Sequence, residues 1–264
     1  MKGRILIIAG SDPSGGAGIQ ADIKTVTALG GYGASAITAI TVQNTMGVTG
    51  VHPVPVDLIK AQIDAVMGDI GADAIKIGMI GDSASALMLA DFLAGVSIPV
   101  VLDPVLGATS GDRLAGDDVA SVILEKLSPH VSLLTPNADE LAALAGGAVP
   151  NTPDEMAELG EKLFRSIGTP LLLKGGHLEG DELVDRLVSE EPVRAFRHKR
   201  IETTSTHGTG CTLASAIAIF LAQGLSLSVA VERAIDYVHG AIKAAPGYGE
   251  GQGPLNHSWQ YPQQ

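Results

Sequence analysis

A glycine-rich turn in the last quarter of the sequence carries the residues best suited to chemistry. It leads directly into a helical pattern and reads Thr206-His207-Gly208-Thr209-Gly210-Cys211-Thr212. Gly208 and Gly210 allow the backbone to turn tightly and to approach a ligand closely. A helix start adds free N–H groups and a positive dipole potential, so Gly208, Thr209 and Gly210 are predicted to form an anion cradle.

Cys211 lies in the first helical turn beyond this cradle and is the only cysteine of the chain, which excludes an intrachain disulfide. A helix N-terminus moves the thiol pKa towards neutral, whereas bound phosphates oppose a neighbouring thiolate. The sequence leaves open which effect prevails. Cys211 is therefore either a base for a reaction at the cradle or an inert packed thiol, the usual role of a free cysteine. His207 is expected to shape the loop rather than to titrate.

Other candidates follow the predicted strands. Ligands of open α/β sheets bind in the crevice beyond the carboxyl ends of the strands. The residues at those ends are Gly10-Ser11-Asp12, Gln43-Asn44, Gly78-Met79, Asp103-Pro104, Thr135-Pro136-Asn137 and Lys174-Gly175-Gly176. Together they supply donors, acceptors and one cation, Lys174. The alternative for Lys174 is a surface lysine whose stem lies along apolar side chains.

Two carboxylates at these ends are candidates for a metal site. Asn137-Ala138-Asp139-Glu140 begins a helix directly after a strand. Capping alone explains this pattern, with Asn137 as the cap and Glu140 as its partner in a capping box. Asp103 ends the neighbouring strand, so Asp103 and Glu140 could also anchor Mg²⁺-bound water near a triphosphate.

Asp22 is an acid in an apolar setting. The helix after the first strand has an apolar arc formed by Ile19, Ile23, Val26 and Leu29. At about 100° per residue, Asp22 falls inside this arc. A carboxylate there needs an ion-pair or hydrogen-bond partner, or a ligand.

The elements that must position these residues alternate between strand and helix. Continuous apolar runs predict strands at 5–10, 34–44, 74–79, 100–105, 131–135 and 171–174, as is typical of parallel strands covered on both faces. Helical patterns lie between them, including an apolar stripe from Leu58 to Ile70 and a capped helix that opens at Thr152. This alternation predicts a doubly wound, mostly parallel sheet. Residues 183–189 and 193–201 are predicted as an antiparallel edge pair, followed by helices at 209–223 and 226–245.

Composition limits the class of protein. The chain has 264 residues, of which 45% are apolar, and a formal net charge of −12. Residues 1–246 are predicted to form one domain, and the Gly-, Pro- and Gln-rich residues 247–264 a surface tail. A chain this acidic repels nucleic-acid backbones. No run reaches the ~18 apolar residues of a membrane helix, and the first apolar run is too short for a signal peptide, so a cytoplasmic protein is expected.

Two nucleotide-binding motifs are incomplete. Gly10 and Gly15 have the spacing of a P-loop, but Gly16-Ala17 stands where Lys-Ser/Thr is required. The run Gly16-x-Gly18-x-x-Ala21 matches a dinucleotide fingerprint. However, the second strand ends in Gln43-Asn44, without the acid that this fingerprint requires.

Several runs resemble those of hydroxymethylpyrimidine (phosphate) kinases in order and spacing. They are AGSDPSGGAGIQAD at 9–22, AITVQNTMG at 39–47, KIGM at 76–79, TPN at 135–137, KGGH at 174–177, HGTGCT at 207–212 and GQGPLNH at 251–257. The resemblance covers essentially the whole chain. The opening run and the HGTGC run are the most specific of these motifs.

This resemblance implies a three-layer α/β/α fold of the ribokinase-like superfamily, commonly a homodimer. It implies phosphorylation of 4-amino-5-hydroxymethyl-2-methylpyrimidine and then of its monophosphate, with ATP and Mg²⁺. By position, the substrate residues are Gly10, Asp22, Gln43 and Met79, with Gln43 pairing with the pyrimidine edge. The nucleotide would be bound by Asn137, Lys174 and Thr209. Gly208, Thr209 and Gly210 would form the anion hole, and Cys211 would replace the Asp base of the wider superfamily.

One departure and three rival functions remain. The family usually has Lys in its Ala-Lys-Ser-Gly flap, whereas this chain has Thr109. Pyridoxal kinases share the scaffold and act on a similar flat hydroxymethyl compound. A non-catalytic binding protein and a nicotinamide-dependent oxidoreductase are the rivals from other classes. The cradle with Lys174 argues against the binding protein, and the missing acid argues against the oxidoreductase.

Overall fold

The fold is built on one mixed, mostly parallel sheet of nine strands. The computed structural model describes residues 2–107, 118–178 and 180–261. In chain order the strands are β1 Arg4–Ser11, β2 Tyr32–Asn44, β3 Gly47–Pro53, β4 Ala74–Ile77, β5 Val100–Leu102, β6 Leu133–Leu134, β7 Leu171–Leu173, β8 Glu182–Val188 and β9 Arg194–Lys199. Their spatial order is β3-β2-β1-β4-β5-β6-β7-β8-β9. The six neighbouring strands β2, β1, β4, β5, β6 and β7 run parallel, whereas β3 at one edge and β8 and β9 at the other pair antiparallel.

Helices cover both faces of this sheet. They are α1 Gly18–Ala28, α2 Val56–Asp69, α3 Ser83–Leu93, α4 Val119–Val122, α5 Ala138–Ala145, α6 Pro153–Ile167, α7 Thr209–Ala222 and α8 Leu227–Lys243. Within β1, Leu6 and Ile8 pack into a core with α2 to α6, whereas Ile5 and Ile7 pack against α1, α7 and α8. Alternate side chains of one strand therefore belong to different cores, as expected for parallel strands buried on both faces. The predicted three-layer arrangement is confirmed.

Three local features differ from the sequence predictions. Strand β3 was not predicted, because its half-exposed residues form no continuous apolar run. The predicted strand at 131–135 is reduced to Leu133–Leu134. Leu58, predicted to lie on the buried stripe of α2, is 52% exposed, while Ile59 and Ile63 face the core.

The expectation of a surface tail after residue 246 does not hold for residues 251–257, which are buried or half-buried, whereas residues 247–250 are exposed. Leu255 and His257 are buried. The indole N–H of Trp259 donates to the carbonyl oxygen of Tyr237 at 3.2 Å, and its ring packs on Gly240. The sequence did not reveal these contacts, because the segment has too few apolar residues to predict packing. Among the described residues, no helix is long and apolar enough to cross a membrane.

Candidate active site

The predicted anion cradle forms where α7 begins, at the carboxyl edge of the sheet. Gly208 adopts a left-handed backbone with φ of 82°, and a Cβ there would overlap the carbonyl oxygen of Gly16. Both features require glycine. A Cβ on Gly210 would lie 3.2 Å from Asp103 Oδ2 and 3.3 Å from Lys174 Nζ. The cradle, the predicted cation and a predicted metal ligand are therefore brought together.

Lys174 lies between two carboxylates beside this cradle. Its Nζ is 2.7 Å from Asp103 Oδ1 and 3.4 Å from Glu140 Oε2, and its side chain keeps 14% exposure. Burial alone would lower the pKa of Lys174, but Asp103 and Glu140 outweigh burial and raise that pKa. Lys174 is therefore a permanent cation. Thr135 Oγ1 donates to the same Asp103 oxygen at 2.8 Å.

The two carboxylates differ in their protonation. Burial would raise the pKa of Asp103, but the charges of Lys174 and Lys76 outweigh burial and lower it. Burial raises the pKa of Glu140 to about 7, although Lys174 acts in the opposite direction. Near neutral pH, Asp103 is therefore ionised, whereas Glu140 is present in both its protonated and its ionised form.

The capping interpretation of Asn137 is confirmed. The backbone N–H of Glu140 donates to Asn137 Oδ1 at 2.9 Å, and the N–H of Asn137 donates to Glu140 Oε2 at 2.8 Å. The capping box thus holds the Glu140 carboxylate close to Lys174. Among the described residues, no group of three or more His, Cys, Asp or Glu side chains is arranged to hold a metal ion. Any Mg²⁺ held by Asp103 and Glu140 would need oxygens from water or a bound phosphate to complete its coordination.

Asp22, expected from the resemblance to sit against the substrate, is fully buried and ion-paired in the structure. Its side chain has no exposed surface and its Oδ2 lies 2.7 Å from Nζ of the equally buried Lys76. Its Oδ1 accepts a hydrogen bond from Ser215 Oγ at 2.8 Å. The arc on α1 correctly indicated that Asp22 needs a partner. The partner itself was missed, although a lysine inside the apolar strand β4 is a signal that a buried counter-charge exists.

Cys211 lies at the cradle, but its thiol is not activated as the helix start alone would predict. Desolvation by the surrounding protein raises the pKa of Cys211 to about 11. Lys76 lowers this pKa, whereas Asp22 and Asp103 raise it. Burial and the two carboxylates therefore outweigh Lys76 and the backbone hydrogen bond with Gly18.

Asp12 organises the loop between β1 and α1, a role that the sequence analysis missed. Asp12 Oδ2 accepts hydrogen bonds from Ala17 N at 2.8 Å and Ser14 Oγ at 2.8 Å, and lies 2.8 Å from His207 Nε2. Burial would raise the pKa of Asp12, but the bonds from His207, Ser14 and the backbone outweigh burial and lower it to about 2. His207 therefore ties the cradle to this loop, which agrees with its predicted shaping role. An acid in a glycine-rich turn signals such a network.

Three of the predicted substrate residues lie around the same crevice. A Cβ on Gly10 would lie 3.1 Å from Met79 Sδ, so these two residues are in contact. Gln43 Nε2 is 3.5 Å from His207 Nε2, and Gln43 Oε1 accepts a hydrogen bond from Thr41 Oγ1 at 3.1 Å. Thr41 thus holds the Gln43 amide beside His207. Thr109 lies outside the described residues.

Comparisons with known proteins agree with this arrangement. A family model described as phosphomethylpyrimidine kinase matches residues 12–256. A hydroxymethylpyrimidine/phosphomethylpyrimidine kinase of Rhizobium meliloti is 46% identical over 254 residues, which cover 96% of each chain. Among solved structures, an ADP complex of Bacillus subtilis pyridoxal kinase has a TM-score of 0.91 at 32% identity, covering 98% of this chain and 99% of that one. A phosphomethylpyrimidine kinase from Clostridium difficile has a TM-score of 0.79 at 38% identity, covering 90% and 99%. These likenesses confirm the ribokinase-like fold predicted from the sequence.

Proposed function

Because this chain belongs to the phosphomethylpyrimidine kinase family, we propose that it phosphorylates 4-amino-5-hydroxymethyl-2-methylpyrimidine and then the resulting monophosphate in thiamine biosynthesis. ATP is the proposed phosphoryl donor. One observation carries this proposal: the glycine cradle, Lys174 and Asp103 converge within a few ångströms at the carboxyl edge of the sheet. Backbone N–H groups and a fixed cation can stabilise the charge on a transferring phosphoryl group.

The nucleotide and its metal would bind on the Lys174 side of the crevice. Lys174 and Thr209 would contact the phosphates, and Asn137 lies next to Lys174 through a bridge between their backbones. Asp103 and Glu140 offer the hard oxygen ligands that Mg²⁺ prefers. A bound Mg²⁺ would neutralise charge on the phosphates, and ionised Glu140 would then be favoured over its protonated form.

The pyrimidine would bind at the opposite end, near Gln43. An amide side chain both donates and accepts, so it suits an aminopyrimidine edge. Gly10 and Met79 supply a small backbone surface and an apolar contact beside it. We expect Gln43→Leu to weaken substrate binding by ~1–3 kcal/mol, because one polar edge of the ligand would lose its partner. If Gln43→Leu binds the substrate as tightly as the parent, Gln43 does not contact the substrate.

Cys211 is the proposed base for the attacking hydroxymethyl group. The hydroxyl proton would pass to Cys211 Sγ while the hydroxyl oxygen bonds to the γ-phosphorus and the bond from that phosphorus to ADP breaks. With a thiol pKa of about 11, only a small fraction is thiolate near neutral pH, so turnover is expected to increase as pH rises.

The decisive experiment is a phosphorylation assay with Cys211→Ala as the matched variant. The parent should convert hydroxymethylpyrimidine and its monophosphate with release of ADP. Cys211→Ala should keep the fold and nucleotide binding but lose about 10²–10⁴-fold in rate at saturating substrate. If Cys211→Ala turns over within a few-fold of the parent, the proton leaves through water or phosphate instead.

Pyridoxal phosphorylation is the second candidate. It is favoured by the TM-score of 0.91 to Bacillus subtilis pyridoxal kinase, which exceeds the 0.79 to the Clostridium difficile enzyme. The same assay with pyridoxal decides between the two, because the preferred substrate has the larger kcat/KM.

A homodimer in the cytoplasm is also proposed, as the family resemblance implies. Ile40 and Val42 on β2 are 53% and 51% exposed, so they offer apolar surface to a second copy. Light scattering of the purified chain tests the assembly, and a monomer at micromolar concentration would contradict it.

A further inference from the structure

The described C-terminal residues bridge the two ends of the crevice. Residues 249–257, here named the clasp, run between the turn after β2 and the loop before α7. The turn follows Gln43 directly, and the loop leads into the cradle. The turn beside the proposed substrate residue Gln43 and the loop before the cradle are therefore joined by a third segment, which comes from the C-terminal end of the sequence.

The clasp holds the turn after β2 through Thr45. Gln252 N donates to the carbonyl oxygen of Thr45 at 2.8 Å, and Gly251 N donates to Thr45 Oγ1 at 3.3 Å. A Cβ on Gly251 would overlap that carbonyl oxygen, and a Cβ on Gly249 would overlap the Thr45 side chain. Only glycine permits this close approach, so the contact leaves little freedom in the distance between clasp and turn.

The same segment holds the loop before the cradle. Gly253 N donates to the carbonyl oxygen of Thr204 at 3.0 Å, and His207 N donates to the carbonyl oxygen of Gly253 at 3.1 Å. Thr206 Oγ1 donates to Gln252 Oε1 at 3.1 Å. Gln252 thus contacts the turn with its backbone and the loop with its side chain.

The far end of the clasp is fixed to the body of the protein. His257 is buried, its Nε2 lies 3.1 Å from Thr212 Oγ1 on α7, and its carbonyl oxygen accepts a hydrogen bond from Tyr237 OH at 2.5 Å. Asn256 N donates to the carbonyl oxygen of Ala241 at 3.1 Å. An anchored segment can hold both loops in place, whereas a loose one would move with them.

We propose that the clasp is a positioning element that sets the distance between the substrate end of the crevice at Gln43 and the phosphate end at the cradle, with Gly251 and Gln252 as its positioning residues. This inference rests on the proposed function. Phosphoryl transfer requires the attacking hydroxyl in line with the γ-phosphate, and a displacement of about 1 Å can cost on the order of 10²-fold in rate.

The test compares Gly251→Ala with a matched glycine substitution elsewhere. Gly68 on α2 is exposed and has nothing within 4 Å of the added Cβ, so Gly68→Ala is the control. Gly251→Ala should lower kcat/KM for the hydroxymethyl substrate about tenfold to a hundredfold while KM for ATP stays within about twofold. An increase in KM for ATP as large as the loss in kcat/KM for the hydroxymethyl substrate, or no loss in that kcat/KM, would overturn the positioning role.

Gln252 provides a second variant that keeps the backbone contacts. Gln252→Ala removes only the bond from Thr206 and should lower kcat/KM about threefold to tenfold. Gln252→Glu retains an acceptor oxygen and should restore kcat/KM to within about twofold of the parent. If Gln252→Ala matches the parent, or if Gln252→Glu fails to restore the rate, the side chain has no positioning role.

Hydrogen exchange separates this inference from the proposed function. Gly251→Ala should speed amide exchange in the peptides around residues 40–48 and 203–211 without ligand, and Gly68→Ala should not. This measurement needs no turnover, so it applies even if the parent phosphorylates none of the compounds tested. Unchanged exchange in both peptides would overturn the clasp.

Discussion

Two lysine–aspartate pairs of equal length occupy very different surroundings. Lys76–Asp22 and Lys174–Asp103 both have N–O distances of 2.7 Å. The first pair has no exposed surface, whereas Lys174 keeps 14% exposure and borders the cradle. Burying a charge costs several kcal/mol unless its partners are complete. Removing one charge of the buried pair would therefore destabilise the fold, whereas the open pair keeps a cation available for a ligand.

The largest expected effect follows from removing the open cation. Lys174→Met should lower kcat by about 10²–10³-fold, because charge on the transferring phosphoryl group loses a fixed partner. The kinase assay measures this change, with exposed Lys162→Met on α6 as the control. A rate within a few-fold of the parent would make Lys174 a structural residue like Lys76.

The equivalent change in the buried pair should act on stability instead. Lys76→Met leaves Asp22 buried without its counter-charge and should reduce the free energy of unfolding by ~3–5 kcal/mol, measured by urea denaturation. Adding Asp22→Leu should recover most of this loss, since an apolar pair of similar volume is tolerated. The double variant should also keep KM for the pyrimidine within a few-fold. A large increase in that KM would show that Asp22 contributes to substrate binding.

The sequence predicts the open pair better than the buried one. Asp103 and Lys174 each end a continuous apolar strand, and parallel topology then places both at one edge of the sheet. The Asp22–Lys76 contact joins α1 to β4 across 54 positions of sequence. No local pattern encodes that contact. The clasp was missed for a related reason, because it is held by glycine backbone contacts that carry no hydrophobic signal.

A third prediction uses the protonation of the carboxylate beside the open pair. The pKa of Glu140 is raised to about 7 by burial, so it is mostly ionised above that pH and mostly protonated below it. If Glu140 helps to hold Mg²⁺, the Mg²⁺ concentration for half-maximal rate should increase about tenfold between about pH 8 and about pH 6. Glu140→Gln should abolish this dependence. If the Mg²⁺ concentration for half-maximal rate of the parent enzyme is the same at both pH values, Glu140 is not a ligand of the metal.

The smallest expected effect compares the hydroxyl group that supports each pair. Ser215 Oγ donates to Asp22 and Thr135 Oγ1 donates to Asp103, both at 2.8 Å. Hydrogen bonds to charged groups contribute roughly 1.5–3 kcal/mol, and the remaining partners of each carboxylate limit the loss. Ser215→Ala should therefore lower the free energy of unfolding by at most ~3 kcal/mol. It should leave kcat and both KM values unchanged.

Thr135→Val is the matched change at the open pair, because valine has nearly the same shape as threonine. It removes one hydrogen-bond donor to Asp103, which frees that carboxylate to shift with Lys174. We expect a few-fold decrease in kcat together with a modest loss of stability. Denaturation and steady-state kinetics on both variants give the comparison directly. If Ser215→Ala lowers kcat as much as Thr135→Val does, the buried pair also takes part in positioning the reacting groups. The buried pair would then not be purely structural, and the proposed difference in role between the two pairs would be wrong.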